Sequence, residues 1–306
     1  DDRRIKYIKN IKNVGSIKGD REHFRRFVYE LMQGDYFIYI TDDDYWPDEY
    51  FLEKCIKIFF QYPTLSHIVG SQLSENYKNI DELKYYDKNQ IAKIIQKEEN
   101  FKQEKWYFFN NLLETGFYKK FDYLEKFSNN ATAMNISITG TIFNKEKCIK
   151  ANFLSSTNPS KWQGGYECKI TPSLLGDVYF INEPCVVARI AKENASFKFT
   201  QIDHYKDQLL SVNNSFKDSD KFFSNKKDYK KIQQIRKKFI KSISHSYLLN
   251  SVHIFSGKKL SLNEDSNIVK YVTIFLVLKN YLKNYILIDK IDLKIFKEYI
   301  KGKYKW

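Results

Sequence analysis

The chain has 306 residues, 42% hydrophobic and 17% aromatic, which is enough apolar material for a sizeable core and excludes a wholly disordered chain. Its net charge is +14, unevenly spread: residues 1–200 hold 29 Lys+Arg against 27 Asp+Glu, and residues 201–306 hold 22 against 10. The four cysteines form no CxxC pair, which argues against a zinc site or disulfide framework and predicts a reducing compartment. We expect the C-terminal third to face an anionic partner or surface.

The first predicted elements are a strand at residues 5–8, a polar loop, and a helix over residues 20–33. Arg25 lies near the first turn of this helix, and Gly34 closes it as a C-cap. The chain opens in the middle of a pattern, so we expect that an N-terminal part of the natural protein precedes these residues.

The stretch that organises the chain is an apolar, aromatic run at residues 36–40, typical of a buried strand, that ends in Asp42, Asp43 and Asp44. Pro47 then opens a predicted helix over residues 48–61. Carboxylates at the C-terminal edge of such a strand lie where open α/β sheets bind ligands. Hard oxygen donors suit Mg²⁺ or Mn²⁺, which also bridge a diphosphate. The alternative is an acidic loop that caps the following helix.

The middle of the chain predicts two further strands around an insertion. Residues 65–73 form the first strand, where His67 is interpreted as a core or edge histidine rather than a metal ligand. The polar and aromatic stretch 74–130 is interpreted as an insertion that shapes the substrate side. The second strand, residues 134–143, contains Gly140, and a glycine inside a strand often marks close approach of backbone or ligand.

The next segment predicts a flexible loop over residues 158–167 that ends in Glu167, followed by a helix over 168–176. Two strands, 178–181 and 186–190, follow with a turn between them. The segments before residue 200 therefore alternate between strands and helices, which predicts an α/β fold.

The C-terminal region turns helical and basic from about residue 201. The clearest predicted helices cover residues 228–249 and 267–300. Lysines interrupt the apolar residues of the second helix, which makes it too polar to span a bilayer. It suits an interfacial amphipathic helix, and a packed helical subdomain with a solvated basic face is an equal alternative.

The order of these elements resembles the large inverting GT-A-fold glycosyltransferases called family 2, over roughly residues 1–200. Residues 3–8 and 13–15 match the family's strand and loop before the acidic motif, and residues 34–38 match the strand leading into it. The triplet at residues 42–44 matches the family's DXD motif. Arg25 falls at a family arginine, although Arg26 replaces the asparagine that usually follows. The family's first strand and its base-reading acid are absent from this sequence.

The resemblance implies roles for particular residues. Metal ligation falls to Asp42, Asp43 and Asp44. The catalytic base falls to Glu167, because Tyr166-Glu167 sits where the family has Glu-Asp, although that pair is not literally present. Roles in holding the donor and the substrate are assigned to Arg25, Asp42, Asp43, Gly140, Arg189, Trp162 and Tyr166. Two of these have structural alternatives, which are a helix-start carboxylate for Glu167 and an ion pair for Arg189.

The resemblance implies a GT-A, Rossmann-like, mostly parallel sheet flanked by helices over residues 1–200, and a basic helical extension over residues 201–306. It implies an inverting glycosyltransferase, hexosyltransferase-like, that uses Mn²⁺ or Mg²⁺ and a nucleotide-sugar, with a UDP-sugar as first choice. The acceptor is expected to be a glycan or lipid-linked glycan in bacterial capsule or lipooligosaccharide synthesis.

Further expectations are a cytoplasmic location, peripheral contact with the anionic inner face of the cytoplasmic membrane, and a homo-oligomer. Alternatives are a protein- or polymer-directed transferase of the same fold and a basic nucleic-acid-binding module. The nucleic-acid alternative is disfavoured, because no RRM, KH or zinc pattern is present and the acidic triplet would repel phosphates.

Overall fold

The protein is an α/β structure built on one mixed sheet of seven strands in the part of the chain that the structure describes. The computed structural model describes residues 27–41, 44–76, 85–97, 106–108, 113–129, 138–153, 164–190, 201–217, 219–223 and 225–255. The strands are β1 (Tyr36–Ile38), β2 (Asp44–Tyr45), β3 (Leu65–Asn76), β4 (Trp106–Phe108), β5 (Gly116–Tyr118), β6 (Thr141–Asn144) and β7 (Asp177–Ile190).

Eight α-helices flank this sheet within the described ranges. They are α1 (Phe51–Gln61), α2 (Lys88–Lys97), α3 (Lys120–Asn129), α4 (Lys145–Lys150), α5 (Gly164–Ile170), α6 (Gln201–Ser215), α7 (Ser219–Phe222) and α8 (Lys226–Phe255). A π-helical turn at Phe27–Leu31 and a 3-10 turn at Pro172–Leu174 complete the helical segments. The predicted α/β class is confirmed.

The prediction of a mostly parallel sheet is wrong. The strand order is β1-β6-β3-β7-β2, with β4 on β3 and β5 on β7. Among the described strands only β3 and β7 pair in parallel, whereas β6 runs antiparallel to both β1 and β3. The physical reason is that a strand buried on both faces is a continuous apolar run in either direction, so its composition does not encode its direction.

The centre of the sheet is β3, which is buried from Leu65 through Ser71. His67 lies in this strand with no exposed surface, so its interpretation as a core histidine is confirmed. Its ring stacks on Phe143 with 6.0 Å between ring centroids, and its Nδ1 lies 2.9 Å from Ser66 Oγ. Burial lowers the pKa of His67 to about 3, so the ring is neutral at physiological pH.

The helices after residue 200 pack on the sheet body and share its core. Phe239 of α8 meets Phe127 of α3 edge to face, with 5.1 Å between ring centroids. Val69 and Phe180, from the sheet, belong to the same buried cluster as these two rings and Tyr205 of α6. The predicted helix at 228–249 is confirmed inside α8, and the predicted helix at 267–300 lies outside the described residues. The domain boundary near residue 200 stays a prediction.

The membrane-spanning potential of the described helices is low. Among the residues that the structure describes, none of the helices combines the length and the apolar character needed to cross a bilayer.

Candidate functional site

The carboxylate of Asp44 is held at the edge of the sheet by a residue that the sequence analysis gave no role. Asp44 starts β2, where it pairs with Ala188 of β7. Its Oδ2 accepts a hydrogen bond of 2.7 Å from Thr139 Oγ1. Thr139 is fully buried in the turn before β6, and its carbonyl oxygen accepts a 3.0 Å hydrogen bond from Trp46 Nε1. Thr139 therefore holds both Asp44 and the segment that follows it.

Asp44 does not cap the following helix, which was the alternative interpretation of the triplet. The start of α1 is organised by Asp48 instead, whose Oδ1 accepts from the Tyr50 backbone N–H at 3.0 Å. Partial burial alone would raise the pKa of Asp48, but hydrogen bonds from Lys54 and the Tyr50 N–H outweigh this and lower it. Asp42 and Asp43 lie outside the described residues, so their roles stay predictions.

Gly140 makes the close approach that was predicted for it, and its described partner is backbone. The Gly140 carbonyl oxygen accepts a 2.8 Å hydrogen bond from the Gly70 N–H of β3. A Cβ at position 140 would stand 3.0 Å from Val186 Cγ1 and 3.2 Å from the Gly70 oxygen. The glycine lets the turn that carries Thr139 lie against β3 and β7. It therefore sets the position of Thr139, and its predicted contact with the donor stays a prediction.

Arg189 follows Ala188, the strand partner of Asp44 in β7. Its side chain, however, lies on the other face of the sheet. Tyr45 pairs with Val187, and strand side chains alternate, so Tyr45 and Arg189 share the face opposite to Asp44. The guanidinium carbon lies 5.8 Å from the Tyr45 ring centroid and 5.1 Å from that of Tyr85. This stacking confirms the placement that alternation predicts.

Arg189 also has a buried carboxylate as its neighbour. It is opposite Glu75 in the β3–β7 register, and the two residues are 7% and 0% exposed. Burial raises the pKa of Tyr45 to about 12, with a further rise from Glu75 and an opposing effect of Arg189. These contacts favour the structural alternative for Arg189 over a phosphate ligand beside Asp44.

Glu167 lies inside α5 rather than in a loop before a helix, so the predicted end of the loop at residue 167 is wrong. The physical reason is that α5 begins at Gly164, and two glycines do not prevent a helix that packs against a core. The side chain of Glu167 is 1% exposed. Glu167 was predicted to end a flexible loop, whereas it lies on a buried helical turn.

Glu167 has Tyr39, at the end of the segment that follows β1, as an electrostatic neighbour. Tyr39 lies between β1 and β2, and it packs against a cluster that contains Cys148 and Cys168. The pKa of the Tyr39 phenol is raised, first by burial and then by neighbouring groups that include Tyr29, Cys148 and Glu167. Glu167 is thus an electrostatic neighbour of Tyr39, and its predicted role as the base stays a prediction.

The two predicted substrate residues differ in what the structure says of them. Tyr166 is 4% exposed. Its ring stacks on Phe127 with 6.3 Å between centroids, and Lys169 Nζ lies 5.5 Å from its centroid. Tyr166 is therefore packed in the core against α3, and its predicted contact with the substrate stays a prediction. Trp162 and the predicted donor residue Arg25 lie outside the described residues.

Three aspartates were predicted to bind the metal ion, and Asp44 is the one that lies within the described residues. Asp44 is half-buried, and its carboxylate is a hard oxygen ligand of the kind that Mg²⁺ and Mn²⁺ prefer. Among the described residues there is no group of three or more His, Cys, Asp or Glu that could hold a metal ion. Asp44 fits a divalent cation if the neighbouring aspartates join it.

Comparison with models of protein families and with curated proteins found no match for this chain. The assignment of function therefore depends on the residues of the site.

Proposed function

We propose that this protein is a metal-dependent glycosyltransferase, and more particularly an inverting enzyme of the GT-A type. It would move a sugar from a nucleotide-sugar, with a UDP-sugar as first choice, to a glycan acceptor in the synthesis of a bacterial surface polysaccharide. The observation that carries this proposal is the Asp44 carboxylate, which Thr139 holds at the sheet edge through a 2.7 Å hydrogen bond. The motif resemblance of residues 34–44 supports the same class.

The proposal assigns the cation to the aspartates. Asp44, together with Asp42 or Asp43, would hold Mn²⁺ or Mg²⁺, and the bound cation would neutralise the negative charge of the departing nucleoside diphosphate. Thr139 keeps the Asp44 carboxylate in one orientation through its 2.7 Å hydrogen bond. A ligand that is already oriented loses less conformational entropy when the cation binds.

The proposal assigns the proton transfer to Glu167. An acceptor hydroxyl must lose its proton as it attacks the anomeric carbon, and a carboxylate within hydrogen-bond reach can take that proton. Because Glu167 is 1% exposed, the acceptor can reach it only if the first turn of α5 moves. Gly164 and Gly165 open that turn, and glycines tolerate the backbone changes that a hinge needs.

The experiment that tests the proposal measures nucleoside diphosphate release from a panel of nucleotide-sugars, with Mn²⁺ and with EDTA. Asp44→Ala is expected to abolish release. Glu167→Gln keeps the shape of the side chain but removes its basicity, which typically costs about 10²–10⁴ in rate. Donor affinity should be nearly unchanged in Glu167→Gln, because the base acts on the acceptor.

The matched control for Asp44→Ala is Asp48→Ala, which removes a carboxylate four residues away that serves the start of α1. Asp48→Ala is expected to keep most of the activity. Full turnover in EDTA, or equal losses in the two variants, would refute the metal role of Asp44. A Glu167→Gln variant within about threefold of the parent enzyme would remove Glu167 from the mechanism, since a lost base costs far more.

A further inference from the structure

One face of α8 carries a row of lysines that faces solvent. Lysine occurs there at successive spacings of one, three, seven and four residues, so the side chains fall on one side of the helix. We call the lysine stripe the residues Lys226, Lys227, Lys230, Lys237 and Lys241. The first four of these side chains are exposed and the fifth is half-buried. From first to last the stripe extends about 22 Å along the helix.

The orientation of α8 is fixed by its opposite face. Ile232, Ile235 and Phe239 are almost completely buried in the core cluster that α8 shares with α3 and the sheet. Helical periodicity therefore turns the lysine stripe outward. The packing of this buried face therefore fixes the side of α8 on which the stripe lies.

Two other lysines of α8 form ion pairs with Glu125 of α3. Lys238 Nζ lies 2.6 Å from Glu125 Oε1, and Lys231 Nζ lies 3.9 Å from Glu125 Oε2. These contacts tie α8 to α3. The 30 residues of α8 contain eight basic residues and a single acidic one, Asp228. The positive charge of the helix is therefore far from balanced within the helix itself.

We propose that the lysine stripe docks the protein on the surface of a bilayer that contains anionic phospholipid. The stripe lies along the outside of a helix, which is a convex surface, and a flat partner can meet all five lysines at once. Flexible, strongly hydrated ammonium groups suit a fluid layer of headgroups, where no fixed geometry is presented. Tyr229 is 40% exposed beside the stripe, and its amphipathic ring suits the interface of a bilayer.

The same features disfavour nucleic acid as the partner. Binding of single strands combines a basic groove with aromatic platforms on which bases stack. The stripe is a ridge whose five members are all lysines, and the single exposed ring of Tyr229 beside it does not form a row of stacking platforms. The proposal does not rest on the glycosyltransferase activity, because it concerns a different surface and its test needs no turnover.

The expected strength of membrane binding follows from the number of lysines in the stripe. Each lysine close to an anionic membrane strengthens partition by roughly fivefold at low ionic strength, and salt screens the attraction. Neutralising three of them should weaken partition by about a hundredfold. The triple variant Lys227→Gln, Lys230→Gln and Lys237→Gln makes this change with a good helix former at each site.

The test is flotation of the full chain with vesicles of phosphatidylcholine, with and without phosphatidylglycerol, at low and high salt. We expect the parent protein to float with the anionic vesicles at low salt and to be released by high salt. The stripe variant should stay at the bottom of the gradient. Thermal unfolding of each variant confirms that the fold is kept.

The matched control is a second triple variant with the same change in net charge, Lys93→Gln, Lys119→Gln and Lys217→Gln, at exposed lysines outside α8. It should float like the parent. Equal losses in both variants would show that net charge alone attracts the protein, and no loss in the stripe variant would show that another surface binds. Equal flotation with neutral vesicles, or stripe-dependent retention on RNA without flotation, would also overturn the proposal.

Discussion

Removal of one hydroxyl, in Thr139→Val, should weaken the binding of Mn²⁺ while leaving the rest of the site in place. Valine has the shape of threonine, and the Trp46 hydrogen bond goes to the Thr139 backbone carbonyl, which the substitution keeps. What is lost is the 2.7 Å hydrogen bond to Asp44 Oδ2. Asp44 then loses the donor that orients its carboxylate towards the predicted cation.

The expected magnitude follows from that one contact. A hydrogen bond to a charged group contributes about 1.5–3 kcal/mol, and groups that orient a metal ligand typically contribute 10- to 100-fold in affinity. We therefore expect the Mn²⁺ dissociation constant of Thr139→Val to rise about 10- to 100-fold. Thr139→Ser keeps the hydroxyl at the same position and should restore most of the affinity.

The assay is a titration of Mn²⁺ followed by electron paramagnetic resonance of the free ion, in the presence of UDP. Asp44→Asn serves as the reference for loss of the ligand itself. If Asp44→Asn loses affinity but Thr139→Val and Thr139→Ser both bind like the parent, the orienting role of Thr139 is refuted. If Asp44→Asn also binds normally, the metal site itself is elsewhere.

The remaining predictions concern the fold that supports this site. His67 is neutral in the folded state, with a pKa of about 3, and takes up a proton near pH 6.5 when unfolded. The free energy of unfolding should therefore fall by about 1.4 kcal/mol for each pH unit below 6.5. His67→Phe should flatten this part of the plot of unfolding free energy, measured with urea, against pH. An unchanged slope would contradict the prediction. Gly70→Ala places a Cβ 2.5 Å from Cys185 Cβ and should lower the free energy of unfolding by about 1–3 kcal/mol or more. Gly116→Ala, which meets nothing within 4 Å, should not share this steric loss.

The strands and helices with strong local signals were predictable from the sequence. Residues 65–73 were predicted as a strand, and β3 covers Leu65–Asn76, because its apolar residues suit a strand buried on both faces. The helix predicted over 48–61 is α1, which begins three residues later, since Asp48 and the turn after Pro47 organise its start. The predicted end of this helix at residue 61 agrees with the end of α1 at Gln61.

Two strand boundaries were wrong because tertiary pairing decides them. The predicted turn between 178–181 and 186–190 is part of β7, where Pro184 sits at a shift in the register with β3. Proline is tolerated at such an irregularity, because its missing N–H need not join the ladder. Of the strand predicted over 134–143, residues 141–143 lie in β6 (Thr141–Asn144) and residues 138–140 form a turn, while residues 134–137 lie outside the described residues.

The pairing of Asp44 with Thr139 was not predictable, because the two residues are 95 positions apart. They meet because the Gly70 N–H holds the Gly140 carbonyl and so positions the turn with Thr139. The sequence analysis noted Gly140 as a site of close approach, which was the available signal. Nothing in the sequence indicated that the neighbouring Thr139 side chain would donate a hydrogen bond to Asp44.

Arg189 shows how strand register decides which side chains share a face of the sheet. The resemblance implied that Arg189 and the aspartates serve one donor, and β7 does bring Arg189 next to Ala188, the strand partner of Asp44. The period of two in a strand then decides the outcome, since adjacent residues point to opposite faces. Arg189 consequently stacks on Tyr45 beside Glu75, while Asp44 faces Thr139. A one-residue shift of β2 against β7 would reverse this arrangement, so the register of this short pairing determines which charged groups the site contains.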